Sequence, residues 1–237
     1  MNHKTNCLVC GSELEYKEDY AMTRCQFCLE DFEANVTCVN GHFVCDTCHS
    51  LPASEVISRY CIDSELIEPI EMAVSLMNSP RVAMHGPEHH FLVPAVLLSS
   101  YYNLISEPAL KAIRIENAQK RASNVLGGFC GFYGACGSAV GTGIFISIIT
   151  GANPLSKDEW KLSNLMTARS LLAVANIGGP RCCKRTSFLS IIEASDFLKK
   201  YFNITLPINK DIKCLFSPLN NECLKINCPF YSETSLT

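Results

Sequence analysis

Eight cysteine and histidine residues near the N-terminus constrain the fold of this chain more than any other feature. They form four closely spaced pairs: Cys7-x2-Cys10, Cys25-x2-Cys28, Cys38-x3-His42 and Cys45-x2-Cys48. A Cys-x2-Cys turn places two sulfur atoms on one edge of a tetrahedron, so two such pairs complete a structural zinc site. Four pairs therefore predict two structural Zn2+ ions. Gly41, directly before His42, suits the tight turn of a zinc knuckle.

The segment of residues 25–48 resembles the first six ligands of RING and related treble-clef zinc modules. The likeness is carried by the sequence Cys38-Val-Asn-Gly-His-Phe-Val-Cys45-Asp-Thr-Cys48. The resemblance implies interleaved pairs, with Cys25, Cys28, Cys45 and Cys48 sharing one ion and Cys7, Cys10, Cys38 and His42 taking the other. The closing Cys-x2-Cys pair of a RING module is missing, so ubiquitin-ligase activity is not implied. The alternative is that these cysteines are free, buried or redox-active.

Charge and cysteine usage restrict the partners and the compartment. The formal net charge is −3, and residues 7–48 contain only two cations, Lys17 and Arg24, so we expect no nucleic-acid partner. The zinc module would then serve structure or dock a protein partner. The first residues lack a secretory pattern, which predicts a cytoplasmic protein with reduced thiols. Residues 91–105 and 135–149 are apolar but shorter than the roughly 20 residues of a membrane span, so we expect buried helices and no membrane.

The pattern after the zinc module is helical, which predicts a mainly α fold. We expect three regions: a zinc-binding module over residues 1–61, a helical core domain over 62–203, and a cysteine-containing tail over 204–237 that packs on the core. Asp63 or Ser64 is predicted to cap a helix that ends at Met77. A later helix should bury an apolar stripe that includes Leu110 and Ile113.

Residues 127–143 hold seven of the thirteen glycines of the chain. Glycine costs roughly 1 kcal/mol per helical position relative to alanine, so this density requires a reason. Close approach of a neighbouring helix through Gly137-x3-Gly141, close approach of a bound ligand, and simple tight packing all remain open. The segment also contains Cys130 and Cys136, which are candidate metal ligands or pocket residues.

Two further motifs offer reactive side chains. His89 and His90 close the sequence His85-Gly-Pro-Glu-His-His and are candidate general bases. Cys182 and Cys183 lie in Gly178-Gly-Pro-Arg-Cys-Cys-Lys-Arg185, where three flanking cations are predicted to lower a thiol pKa and to favour a thiolate ligand or nucleophile. Arg181 and Arg185 are candidates for binding a substrate carboxylate.

The tail contains Cys214, Cys223 and Cys228. A single zinc ion would require a fourth ligand, whereas an iron–sulfur cluster with an open iron needs only three thiolates.

The motifs of the central region resemble those of an uncharacterised domain family of anaerobic prokaryotes. The order of features is more distantly similar to the iron–sulfur L-serine dehydratases and cysteine desulfidases, in which a Gly-Gly segment leads to a cysteine and two cysteines follow. This resemblance implies a 4Fe–4S cluster whose fourth iron acts on a leaving hydroxyl or thiol. Its ligands here would be Cys182 or Cys183 with Cys214 and Cys223, and Cys228 is additional.

These observations lead to a hypothesis and two alternatives. The hypothesis is an iron–sulfur enzyme of lyase type that acts on a small carboxylate-bearing hydroxy or thiol substrate. Arg181 and Arg185 would bind the substrate, and His89, His90 and Cys183 would be the catalytic residues. One alternative is sulfur or group transfer by a cysteine without a cluster. The other is a non-enzymatic zinc-binding adaptor.

Overall fold

The computed structural model describes residues 7, 9–10, 12–45, 48 and 52–232. Within them the chain forms eight α-helices and one two-stranded sheet, so the prediction of a mainly α fold is confirmed. The strands are β1 (Leu14–Arg24) and β2 (Asp31–Cys38). The helices are α1 (Ala53–Asp63), α2 (Pro69–Asn78), α3 (Glu88–Leu104), α4 (Pro108–Ala122), α5 (Phe129–Phe132), α6 (Gly137–Thr150), α7 (Asp158–Ile177) and α8 (Cys183–Phe202).

The two strands form an antiparallel hairpin that positions the N-terminal cysteines. Leu14 pairs with Cys38 at one end and Arg24 with Asp31 at the other, with an irregularity of register between Tyr16 and Ala21. The turn between the strands contains Cys25 and Cys28, and Cys38 lies at the opposite end of the hairpin. Cys25 and Cys28 belong to the same buried cluster as the helices, so the N-terminal module packs directly on the helical core.

Helix α3 lies at the centre of the helical core. It contacts α1, α2, α4, α6 and α8, and 12 of its 17 residues are buried. A helix that is apolar on every side is typical of a core position. Helix α6, the other apolar segment, packs on α3 and is also largely buried, as the sequence predicted. Among the described residues, every helix is too short or too polar to cross a membrane.

The predicted helix start at Asp63 or Ser64 is wrong. Helix α1 ends at Asp63, and residues 64–68 form an extended link to α2. Glu68 caps α2 instead, because its carboxylate accepts hydrogen bonds from the N–H groups of Ile70 and Glu71. The buried amino group of Lys111 donates to the Ser64 carbonyl at 2.7 Å, which fixes this link against α4. The predicted boundary at residue 61 also falls inside α1.

The predicted stripe of α4 is partly wrong. Leu110 and Ile113 are exposed, whereas Lys111 and Ile115 are buried with Ala118 and Ala122. The face that turns inward therefore includes a lysine, which the hydrophobic pattern could not indicate. Its amino group is satisfied by the Ser64 carbonyl and, at 3.0 Å, by the Asn103 side-chain oxygen.

The tail, described as far as residue 232, is mostly irregular. It contains two short 3-10 turns, Ser217–Leu219 and Lys225–Asn227. Phe216 and Phe230 are buried in the common core, and the ring of Phe230 meets that of Phe188 of α8 edge-on at 5.4 Å. Hydrophobic burial therefore holds the tail against α8.

Candidate metal and substrate sites

The first N-terminal group joins residues that are 35 positions apart in the chain. It consists of Cys7, Cys10, Cys38 and His42, whose ligand atoms all lie within 4.8 Å of one another. The sulfur atoms of Cys10 and Cys38 are 3.8 Å apart, and the His42 Nδ1 atom lies 3.3 Å from the Cys10 sulfur. Gly41 has a φ of +80° and turns the chain between Cys38 and His42, as predicted for a knuckle.

The second N-terminal group consists of Cys25, Cys28, Cys45 and Cys48, and all four residues are buried. The sulfur atoms of Cys28 and Cys45 are 3.8 Å apart. Tetrahedral zinc with bonds of about 2.3 Å to sulfur requires about 3.8 Å between two sulfurs. Backbone N–H groups also approach the sulfurs, for example from Phe27 to Cys25 at 3.5 Å. Both groups can therefore hold a metal ion, and their membership is the interleaved one that the RING resemblance implied.

A third set of cysteines lines a small pocket between α8 and the tail, called the tail pocket below. Its cysteines are Cys182, Cys214, Cys223 and Cys228. Cys182 is the N-cap of α8, and its sulfur accepts a hydrogen bond from the Arg185 N–H. The Cys214 N–H donates to the Phe230 carbonyl at 2.8 Å, and the Cys228 N–H to the Lys225 carbonyl at 2.7 Å. The structure thus brings Cys182, and not Cys183, to the three tail cysteines.

The sulfurs of the tail pocket are spread more widely than those of the N-terminal groups. Over the described part of the chain, only the two N-terminal groups place three or more such ligand atoms within 4.8 Å of one another. A multi-iron cluster is larger than a single ion and needs thiolates farther apart. No three of the four tail-pocket sulfurs lie within 4.8 Å of one another, so this pocket, with a volume of about 10 Å³, lacks the geometry of a closed zinc site.

Cys182 also lines a much larger cavity of about 770 Å³, which is called the large cavity below. It lies between the N-termini of α6 and α8 and one face of α7. It brings together His90, Arg181, Cys183 and Arg185 with Cys130 and Cys136. Its volume falls within the roughly 300–1,000 Å³ that is usual for small-molecule sites.

The two cavities share a wall. Cys182 and Arg185 line both of them. Arg185 is only 4% exposed, and its guanidinium donates to the carbonyls of Gly178 at 2.9 Å and Pro180 at 2.7 Å. These bonds fix the loop of residues 178–180 and occupy the Arg185 guanidinium. Arg181 is exposed, so it is the better placed of the two arginines to contact a substrate.

The two candidate histidines differ in their access to the large cavity. His90 lines it, and the Nδ1 atom of His90 lies 2.8 Å from the Val125 carbonyl, so Nδ1 carries the proton and Nε2 is left with a lone pair in the neutral ring. His89 is fully buried, and its Nδ1 faces the Gly86 carbonyl at 3.1 Å. Burial, reinforced by the charge of Lys184, holds the pKa of His89 well below its ordinary value of 6.5. His90 is therefore the better placed general base.

The predicted lowering of the thiol pKa by flanking cations is wrong. Burial raises the pKa of Cys182, and it raises the pKa of Cys183 to about 11. Arg185 is engaged by the carbonyls of its own loop. Lys184 turns into the core, where its amino group donates to the carbonyls of Val82 at 3.3 Å and Ala83 at 3.0 Å. Desolvation therefore outweighs the nearby positive charge.

Two glycines of residues 127–143 allow the close approach of a neighbouring helix, which is one of the three explanations that the sequence left open. A methyl group at Gly137 would overlap the His90 ring, and one at Gly141 would lie 2.8 Å from Pro94, so these glycines allow α6 to pack against α3. Gly131 and Gly134 have no heavy atom within 4 Å of an added methyl group and line the large cavity.

Two cavity residues were missed by the sequence analysis. The hydroxyl groups of Ser138 and Thr186 line the large cavity and lie 3.3 Å apart, joining the first turns of α6 and α8. Thr186 follows Cys182 by four positions and so shares its helix face, but a lone threonine at that spacing is too common to indicate a site.

The fold and these sites define a cysteine-rich, mainly α-helical protein with groups that can bind metal ions. The chain belongs to the family of unknown function DUF5714, whose model matches residues 57–231, which is 175 of the 237 residues. Neither the curated proteins nor the solved structures contain a match to this chain. The predicted membership of an uncharacterised family is confirmed, whereas the likeness to serine dehydratases finds no support among the comparisons.

Proposed function

We propose that this chain is an iron–sulfur enzyme in which the tail pocket holds a 4Fe–4S cluster beside a substrate-binding cavity. The observation that carries the proposal is the shared wall: Cys182 joins Cys214, Cys223 and Cys228 in one pocket and also lines the large cavity. Four cysteines are the usual ligand set of such a cluster. The two N-terminal groups are proposed to bind structural zinc, because their sulfur spacing fits a single tetrahedral ion.

The large cavity suits a small anionic substrate. The exposed guanidinium of Arg181 at the rim can pair with a carboxylate, and His90 presents an imidazole nitrogen that can accept a proton. Apolar side chains of α7, including Leu171 and Val174, line the opposite side. This combination favours a carboxylate-bearing hydroxy or thiol compound as the substrate class.

The number of thiolates restricts the role of the tail cluster. A cluster bound by all four cysteines has no open iron, so it would carry electrons or stabilise the tail rather than polarise a leaving group. A lyase-type reaction therefore needs an open iron elsewhere.

The experiment compares the iron and acid-labile sulfide content of the wild type with that of the variant Cys214→Ser/Cys223→Ser. Both proteins are purified and reconstituted without oxygen. We expect the variant to lose about four iron atoms and four sulfides per chain relative to the wild type. The matched control is Cys61→Ala, because Cys61 is buried inside α1, away from both cavities, and its loss should leave the iron content unchanged. Equal iron in the double variant and the wild type would exclude a tail cluster.

A docking role for the zinc module is a second candidate function, and the surface of the hairpin favours it. Tyr16, Tyr20 and Met22 are all more than 60% exposed on β1. Exposed aromatic and methionine side chains are enriched at protein interfaces. Replacing these three residues with serine should abolish stoichiometric co-purification with a protein partner and leave iron content intact. Unchanged co-purification would exclude docking through this surface.

A further inference from the structure

We propose that the large cavity holds a second iron–sulfur cluster, bound by Cys130, Cys136 and Cys183, with one iron open to the substrate. This inference uses none of the four cysteines of the tail pocket, so it stands or falls separately from the proposed tail cluster. It does depend on the proposed role of the large cavity as the substrate site, and it supplies the open iron that a lyase-type reaction requires.

The three cysteines come from separate segments and converge on the same cavity. Cys130 lies on the short helix α5, Cys136 directly precedes α6, and Cys183 opens α8. All three line the large cavity.

Residues at the N-termini of two helices line the large cavity. Helix α6 starts at Gly137 and helix α8 at Cys183, and they are 14 and 20 residues long. The first N–H groups of a helix have no acceptor within it, and the helix dipole favours negative charge there. The side chain of Cys136 makes no capping hydrogen bond. Gly137 and Ser138 line the cavity, so their free N–H groups are available to the sulfur atoms of an anionic cluster.

The exposure of the three thiols favours a bound group with a position open to the cavity, and their spacing does not match that of a compact zinc site. The ligand atoms of these cysteines do not form one of the compact groups within 4.8 Å that the described residues show at the N-terminus, which argues against a single zinc ion. Cys130 is exposed, and Cys136 and Cys183 are half-buried, so an ion or cluster held by them faces the cavity rather than the core. An iron without a protein ligand acts as a Lewis acid for an oxygen or sulfur of a bound substrate.

The adjacent pair Cys182 and Cys183 then serves two clusters. Of these two cavities of the described residues, Cys182 lines both, and Cys183 lines the large cavity but not the tail pocket. Arg181 lies at the rim and would neutralise the carboxylate of a hydroxy or thiol acid whose other donor atom binds the open iron.

The test measures iron per chain in four proteins reconstituted without oxygen: the wild type, Cys130→Ser/Cys136→Ser, Cys214→Ser/Cys223→Ser, and the variant with all four changes. We expect about eight iron atoms in the wild type, about four in each double variant and none in the fourfold variant. Zinc content and helical circular dichroism serve as folding controls. Because Cys130 and Cys136 lie at the cavity surface, their replacement should leave both controls unchanged.

A spectroscopic readout identifies the open iron. Addition of 3-mercaptopropionate should shift the electron paramagnetic resonance signal of the reduced wild type and of Cys214→Ser/Cys223→Ser. It should leave Cys130→Ser/Cys136→Ser unaffected. If Cys130→Ser/Cys136→Ser retains all of the wild-type iron, the second cluster is excluded. If Cys214→Ser/Cys223→Ser retains all of the wild-type iron and Cys130→Ser/Cys136→Ser loses iron, the tail cluster is excluded and the cavity cluster stands.

Discussion

Cys182 and Cys183 are neighbours in the chain but differ in their surroundings: Cys182 borders both the tail pocket and the large cavity, whereas Cys183 borders the large cavity and not the tail pocket. The start of α8 produces this divergence, since Cys182 has an extended backbone as the N-cap and Cys183 is the first helical residue. Two adjacent thiols can therefore belong to two separate metal sites.

The first prediction tests the interleaving of the zinc ligands by pairs of substitutions. Cys7→Ser/Cys38→Ser removes two ligands of one group and should lower the zinc content from about two to about one per chain. Cys7→Ser/Cys45→Ser removes one ligand from each group and should lower it to near zero. Zinc is measured by mass spectrometry after dialysis. The same zinc content in both double variants would contradict the interleaved arrangement.

The second prediction concerns the close packing of α6 on α3. Gly137→Ala places a methyl group on the His90 ring, so we expect a loss of about 1–3 kcal/mol in the free energy of unfolding. Gly127→Ala is the matched control, because an added methyl group there meets no atom within 4 Å. The control should change stability by less than about 0.5 kcal/mol. Both values come from urea denaturation followed by circular dichroism, and equal values would contradict the packing argument.

The third prediction concerns the buried amino group of Lys184. It donates to the carbonyls of Val82 and Ala83 and lies 5.1 Å from the centre of the Phe216 ring in the tail. Lys184→Met leaves these carbonyls without a donor, so we expect a loss of about 2–4 kcal/mol in the free energy of unfolding. Lys199→Met, at an exposed position of the same helix, should change it by less than about 0.5 kcal/mol. If Lys184→Met changes the free energy of unfolding no more than Lys199→Met does, the carbonyls of Val82 and Ala83 do not depend on Lys184 as their hydrogen-bond donor.

The fourth prediction is a dependence of stability on pH that arises from His89. Its pKa is lowered in the folded state by burial and by Lys184, and His85, Glu88 and His90 are the other titratable groups around it. The unfolded chain takes up a proton as the pH falls through about 6.5, whereas the folded chain does not, so folding stability decreases toward acid pH. The expected contribution approaches about 1.4 kcal/mol per pH unit below that value.

The variant His89→Asn isolates this contribution. Its amide can still donate to the Gly86 carbonyl, but it does not titrate. Loss of metal at low pH affects both proteins alike, so the difference between their stability curves reports on His89. We expect the curve of the variant to be shallower between pH 6.5 and 5 by about one proton. Parallel curves would show that folding leaves the pKa of His89 unchanged.

Local spacing carried much of the information about the N-terminal module. Only two or three residues separate the ligands of each pair, so the tight turn that joins them depends on few other contacts, and Gly41 supplied the positive φ that the knuckle needs. The resemblance to treble-clef modules then supplied the long-range pairing of Cys7 with Cys38, which spacing could not.

The less predictable features depend on long-range packing. The hydrophobic pattern of α4 could not show that Lys111 is buried, because its partner carbonyl at Ser64 is 47 residues away. Lys184 and Arg185 also looked like free cations beside the cysteines. The structure engages both with backbone carbonyls, and burial rather than charge then decides the pKa of Cys183.

The most direct test of the account is the content of zinc, iron and acid-labile sulfide in wild-type protein purified without oxygen. We predict about two zinc ions per chain, and about eight iron atoms with an equal amount of sulfide when both clusters are present. About four iron atoms per chain would indicate that only one of the two proposed clusters is present, and the two double cysteine variants would show which one. Two zinc ions with no iron, even after reconstitution, would contradict the proposal of an iron–sulfur enzyme.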